Sequence, residues 1–322
     1  MICKKCGINL PDDSLFCMVC GSRLENDKAS VDPPQKKNAA DSAVIIPKKI
    51  AQSPEETDRR NFIVKHKSSC KFTFEEGVET IYSLGLDEFE CCDDKHGLYE
   101  NEIIKDVYLP STVSRIDEYA FYNCSGLRKI NFPAALTEIG SMAFQNCSSL
   151  LKIDLPYSLT KIGDNAFKAC SSLKSVLLPD SVTELGDGVF AKCEMMSDVK
   201  LSNSLTTISA GLFSGCSSLA SITIPDSVRT IEAGAFENCS ALTEITIPDS
   251  VEFICDGTFS NCSSLAEITL PSSVKMIERN AFEQCRSLKT IRMSSDCKIV
   301  MDRLHPYDEC GLYECGASII RE

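Results

Sequence analysis

"AFQNCSSLLKIDLP", Ala143 to Pro156, holds the residue on which the reading of the whole chain turns, Cys147. Counting from it, cysteine returns every 23 residues, at Cys124, Cys147, Cys170, Cys193, Cys216, Cys239, Cys262 and Cys285. Three residues before each stands a phenylalanine, from Phe121 to Phe282, and three after it Leu127, Leu150, Leu173, Met196, Leu219, Leu242, Leu265 or Leu288. Six after it comes Ile or Val, and in six copies a proline follows, at Pro133, Pro156, Pro179, Pro225, Pro248 and Pro271. Self-similarity at such a period is the mark of a repeat architecture and overrides local pattern reading.

Each copy reads as one coil. "LTEITIP", Leu242–Pro248, is a short β-branched strand with alternating pattern, stopped by a proline that cannot donate to a ladder. "DSV" turns the chain, "V-x-x-I" makes a second extended piece, and "A-F-x-x-C" is expected to form a tight helical turn. A 23-residue coil cannot cover its own apolar side, but stacked coils cover one another. The expected fold is therefore a β-rich solenoid with short parallel strands. "FTFEEGVETI" sets Phe72, Phe74, Val78 and Ile81 at the spacing of Ile130, Phe132, Leu136 and Ile139, which marks a degenerate first coil.

The repeat cysteines admit a chemical and a structural reading. Stacked side chains point the same way, with Cβ atoms about 4.8 Å apart, beyond the roughly 3.5–4.5 Å of a disulfide. They are read as compact buried hydrophobes. The same recurrence explains "NCS" at Asn123, Asn146, Asn238 and Asn261, a glycosylation sequon in form, and "SSLK" at Ser171–Lys174, a serine–lysine pattern whose Leu173 is a core position. His66, His96 and His305 stand isolated, and no phosphate loop or paired carboxylates stand out, so the chain is read as non-enzymatic. "DECGLYECG", Asp308–Gly316, is the one cluster an enzyme reading would use, and a capping role suits it better.

The first four cysteines are different. Cys3-x2-Cys6-Gly7 and Cys17-x2-Cys20-Gly21 form two matching knuckles, and four thiolates so paired close a tetrahedral Zn²⁺ shell with no position left for water or substrate. A disulfide pair or an iron site is the alternative. One structural zinc per chain would supply the folding energy of a segment with almost no core of its own.

The chain divides into a zinc-ribbon over 1–24, a flexible linker over 25–60 rich in charge, Pro, Ala and Ser, a degenerate first coil with acidic insertion and cap over 61–106, the repeats over 107–300, and a C-terminal cap over 301–322. Net charge is -13, of which residues 1–24 carry +1 and 25–60 carry zero, leaving -14 on the rest. Such a body repels nucleic acid and anionic membranes. No signal-peptide pattern or membrane-length apolar run is present, and nineteen cysteines fit a reducing compartment, so a cytoplasmic location is expected.

The unit "LpxSVtxIgxxAFxxCssLxxIxIP" resembles the BspA-type (Treponema-type) leucine-rich repeat over residues 107–300. "CKKCGINLPDDSLFCMVCGSRL" resembles the short zinc-ribbon found at the start of many bacterial proteins. The first resemblance implies a curved solenoid with a strand-lined face that binds other macromolecules. Many relatives are surface proteins, which makes a cell-surface or secreted adhesin the alternative to a cytoplasmic protein-binding scaffold. On the strand face the outward candidates for contacting a protein partner are Arg128, Lys129, Lys152, Lys174 and Lys200 in the first half, then Glu244 and Glu267.

Overall fold

The computed structural model describes residues 44–46 and 71–74 as backbone, and 79–81, 104–299 and 317–321 in full. Every strand pair in it is parallel, and along the repeats the partners lie 23 residues apart, as in Asp198↔Ser175 and Ser221↔Glu244. Each coil contributes one strand to a long ladder and a two-residue strand to a short one.

The long ladder contains Lys71–Phe74, Asp106–Tyr108 and Lys129–Asn131, then Ser175–Leu177 with Asp198–Lys200, Ser221–Thr223 with Glu244–Thr246, and Glu267–Thr269 with Thr290–Met293. The copy at Lys152–Asp154 follows the same path without strand pairing. Val44–Ile46 adds a strand beside Lys71–Phe74. These three residues fall within the stretch read as a linker, and the open sheet edge satisfies the backbone groups of this β-branched apolar triplet. At the other end Ser318–Arg321 pairs with Thr290–Met293, so the tail beyond Cys297 still contributes a rung.

The short ladder runs through Thr80–Ile81, Arg115–Ile116, Glu138–Ile139, Lys161–Ile162 and Glu184–Leu185, stops, and resumes from Thr207–Ile208 to Lys298–Ile299. The stop coincides with a change of residue at the next corner. The residue after the short strand is Gly140, Gly163 or Gly186 in the three coils before the break, where a Cβ would meet the preceding backbone, 2.5 Å from the Glu118 nitrogen at Gly140 and 2.6 Å from that of Ser141 at Gly163. Ser209 is the first residue after these glycines to bring a Cβ to that corner. Its hydroxyl, not its N–H, donates to the Leu185 carbonyl at 2.7 Å, where Gly163 and Gly186 donate their N–H to Ile139 and Ile162. The rung returns at Glu232, whose N–H donates to the Ile208 carbonyl at 2.9 Å.

The "A-F-x-x-C" segment is not the helical turn expected. Two residues per turn take positive φ in all eight turns, Asn146 (63°) and Gly215 (77°) among them, which no helix tolerates. Alternate N–H groups leave the coil instead. Tyr119, Phe121 and Asn123 donate to Ser141, Ala143 and Gln145 of the next coil, while Ala120, Tyr122 and Cys124 close turns within their own. Asparagine recurs at these corners because its short polar side chain tolerates the left-handed region, which is the physical origin of the repeated "NCS".

Inside, equivalent residues stack. All eight phenylalanines from Phe121 to Phe282 are fully buried, with ring centroids 5.0–5.9 Å apart and planes within 15° of parallel. The widest step, 5.9 Å between Phe190 and Phe213, lies at the junction where the short ladder is broken. All eight repeat cysteines are 0 % exposed.

Candidate recognition face

The outward surface of the long ladder is built by alternation. Within Glu244–Thr246 the central Ile245 is buried and its neighbours exposed, and Ser221–Thr223 and Glu267–Thr269 repeat the pattern. Arg128, Lys129, Lys152, Lys174, Lys200, Glu244 and Glu267 are all exposed on this side. The inward columns repeat almost unchanged from coil to coil, whereas the outward ones differ in charge and size.

Charge is organised differently on the two ladders. Along the short ladder opposite charges meet between coils: Arg115 with Glu138 at 2.5 Å, Lys161 with Glu184 at 3.5 Å, and Glu252 between Arg229 and Lys275. The Lys275 ammonium, with Arg229 behind it, holds the Glu252 carboxyl below the usual carboxylate range. On the long-ladder face Lys152 pairs with Asp154 at 2.8 Å. Arg128, Lys129, Lys174 and Lys200 have no ion-pair partner among the described residues. Nearby, Asp180 accepts the backbone N–H of Asn203 at 2.9 Å, which lowers its pKa.

Sequence reasoning missed the apolar part of this surface. Leu151 (51 % exposed) and Leu177 (53 %) point outward from the same coils, with Tyr157 and Met195 exposed close by in the chain. The signal was a large apolar residue in an outward column, visible at Leu177 once the alternation is assigned.

A groove of about 460 Å³ lies at the broken junction of the short ladder, lined by Lys161, Asp164, Thr183, Glu184, Thr206 and Ser209 among others. Its lining mixes polar and apolar groups and offers no nucleophile paired with a base.

The repeat thiols are not reactive groups. Each Sγ–H from Cys147 to Cys285 donates to the carbonyl of the phenylalanine 26 residues earlier, as Cys216 does to Phe190 at 3.2 Å and Cys285 to Phe259 at 3.0 Å. Burial pushes the thiols of Cys147, Cys170, Cys193, Cys216 and Cys262 well up, and that of Cys239 to about 12. Among the described residues no group of three or more His, Cys, Asp or Glu is arranged to hold a metal, and no helix is long and apolar enough to cross a membrane. The four ribbon cysteines, Cys3, Cys6, Cys17 and Cys20, lie outside the described residues.

Comparison with known proteins agrees with this architecture. Residues 95–216 and 183–309 match the BspA type leucine rich repeat region in six copies, and residues 2–24 match a zinc-ribbon domain. No curated protein matches the chain. A leucine-rich repeat protein from Bacteroides ovatus, solved by crystallography, is 27 % identical, with a TM-score of 0.57 over 75 % of this chain and 68 % of that one. The leucine rich repeat protein of T. pallidum is 29 % identical (TM-score 0.43, 61 % of this chain and 78 % of that one). A leucine rich cell surface protein from Faecalibacterium prausnitzii is 25 % identical (TM-score 0.34, 68 % and 79 %). With its stacked parallel coils, and with well over half its length matched, the chain belongs to the BspA-type leucine-rich repeat family.

Proposed function

We propose that this protein is a non-enzymatic recognition solenoid that holds a protein partner against the outward face of its long ladder. One observation carries the reading: inward positions repeat from coil to coil, while the outward triplets change, from Arg128, Lys129 and Asn131 to Leu151, Lys152 and Asp154 to Lys174, Ser175 and Leu177. Packing alone asks the same of every coil, so individual outward residues point to something outside the fold. A photo-crosslinking residue at Leu177 or Thr246 is expected to capture the native partner, and one at Lys161 on the short ladder is not. Capture from Lys161 alone would contradict the face assignment.

The family relationship favours an exported or cell-surface adhesin over the cytoplasmic scaffold expected from the sequence. For the eight repeat cysteines the redox objection to export loses its force, because thiols at 0 % exposure are out of reach of oxidants whatever the compartment. Fractionation of the native cell is expected to find the chain in the envelope or the medium, and an exclusively cytosolic pool would restore the scaffold reading.

Cys3, Cys6, Cys17 and Cys20 would hold one structural Zn²⁺, a donor set that suits the metal in number and softness. Metal analysis of the full chain is expected to return about one zinc, lost in a Cys3→Ser, Cys17→Ser variant whose solenoid melts unchanged. Zinc retained by that variant would refute the assignment.

A further inference from the structure

Five large apolar side chains are markedly exposed among the described residues, and four of them, Leu151, Tyr157, Leu177 and Met195, fall between residues 151 and 195. Leu151 and Leu177 stand in the outward columns of the long ladder. Arg128, Leu151 and Lys174 occupy the same position in successive coils, and the Leu151 N–H reaches the Arg128 carbonyl at 3.4 Å. Leu177 and Lys200 are register partners across the ladder. Each leucine therefore has a cation beside it in an adjacent coil, at the strand spacing of about 4.8 Å.

The cations add nothing evident to the fold. Arg128 sits directly over Lys105, its N–H on the Lys105 carbonyl at 2.7 Å, and like charges in facing positions are destabilising. The chain pairs its charges turn by turn on the short ladder, whereas on this face Arg128, Lys174 and Lys200 have no ion-pair partner among the described residues, on a protein of net charge -13.

Resting on the strand-face reading above, we propose that the surface formed by Arg128, Lys152, Lys174 and Lys200 with Leu151 and Leu177 binds an extended acidic polypeptide segment that carries apolar side chains. Carboxylates of that segment would meet the cations while its apolar residues cover the leucines. A nucleic acid fits less well. Lys152 is already paired with Asp154, and Asp198 lies on the same surface, which leaves few phosphate contacts and makes the leucines a liability.

Panning displayed random 12-residue peptides against the full chain tests this. Enriched peptides are expected to combine Asp or Glu with Leu, Ile or Phe. The affinity of a synthetic enriched peptide should fall at least tenfold in Lys152→Glu, Lys174→Glu and likewise in Leu151→Thr, Leu177→Thr. It should change less than twofold in Glu244→Lys, Glu267→Lys, with all three variants melting like the parent. Enrichment of neutral or basic peptides, no enrichment, or binding that survives both of the first two variants would overturn the proposal. So would equal binding of a single-stranded DNA 20-mer or of phosphatidylserine vesicles, since charge alone would then suffice. If Leu177 and Thr246 crosslink the native partner while panning fails, the partner class is wrong and the face stands. If crosslinks arise only from Lys161, the face itself falls and this inference with it.

Discussion

A thiol before each long strand meets two demands at once. It is small and apolar enough for a column that repeats every coil, and its weak donor reaches back to a phenylalanine carbonyl that already accepts one N–H. Cys216→Ala should cost about 1–2 kcal/mol, chiefly for the void left by sulfur. Cys216→Ser should cost at least as much. The shorter C–O bond leaves the hydroxyl out of range of the Phe190 carbonyl, and a buried unsatisfied hydroxyl costs about 1–3 kcal/mol. Chemical denaturation of both variants checks the order, and a serine variant as stable as the parent would mean that the hydrogen bond outweighs the packing. The raised thiol pKa values set a pH dependence with a definite sign. Well below the ordinary thiol value of 9.0 both folded and unfolded thiols keep their protons, so stability is flat. Above it the unfolded thiols ionise while the folded ones do not, and stability falls by about 1.4 kcal/mol per buried thiol per pH unit, for Cys239 until about pH 12. Denaturation midpoints measured at about pH 6.5, 7.5 and 10.5 should be equal for the first pair and sharply lower for the third. The packing role of these cysteines was legible in their period. Their hydrogen bond was not, because it depends on the coil-to-coil offset, which periodicity leaves open.

At the scale of elements, the broken junction after Glu184–Leu185 divides the short ladder into two blocks. The Thr206 and Ser209 N–H groups, which head the second block, lack the inter-coil bonds made by Thr183, Gly186, Arg229 and Glu232. Hydrogen exchange should therefore be faster at Thr206 and Ser209 than at those four amides. Ser209→Gly, by removing the Cβ and the competing hydroxyl, should slow exchange at both. Uniform protection across the junction would show the ladder to be continuous in solution. Both ladders were legible from two apolar patterns per repeat and from proline stops. The break was written in the change from Gly140, Gly163 and Gly186 to Ser209, but its meaning emerges only when that corner is seen against the preceding backbone. The turn at "A-F-x-x-C" misled for a related reason. Its apolar spacing of three suits a helix, while its asparagines and glycines at positive φ commit it to alternating turns bonded to the next coil.

For the whole molecule, one column logic produces the fold, the inert thiols and the exposed face together. Function was legible only in part. The strand face and five of its seven charged candidates follow from alternation, but the leucines among them gain significance only from their exposure in the fold. The central claim is that coils stack in register and bury one cysteine apiece along an axis. Mass-spectrometric mapping of iodoacetamide labelling on the native protein near pH 8, with an unfolded control, tests it directly. Cys124, Cys147, Cys170, Cys193, Cys216, Cys239, Cys262 and Cys285 should stay unlabelled until the chain unfolds and then label together. Labelling of any of these eight in the native protein at the rate of an exposed thiol would contradict the stack.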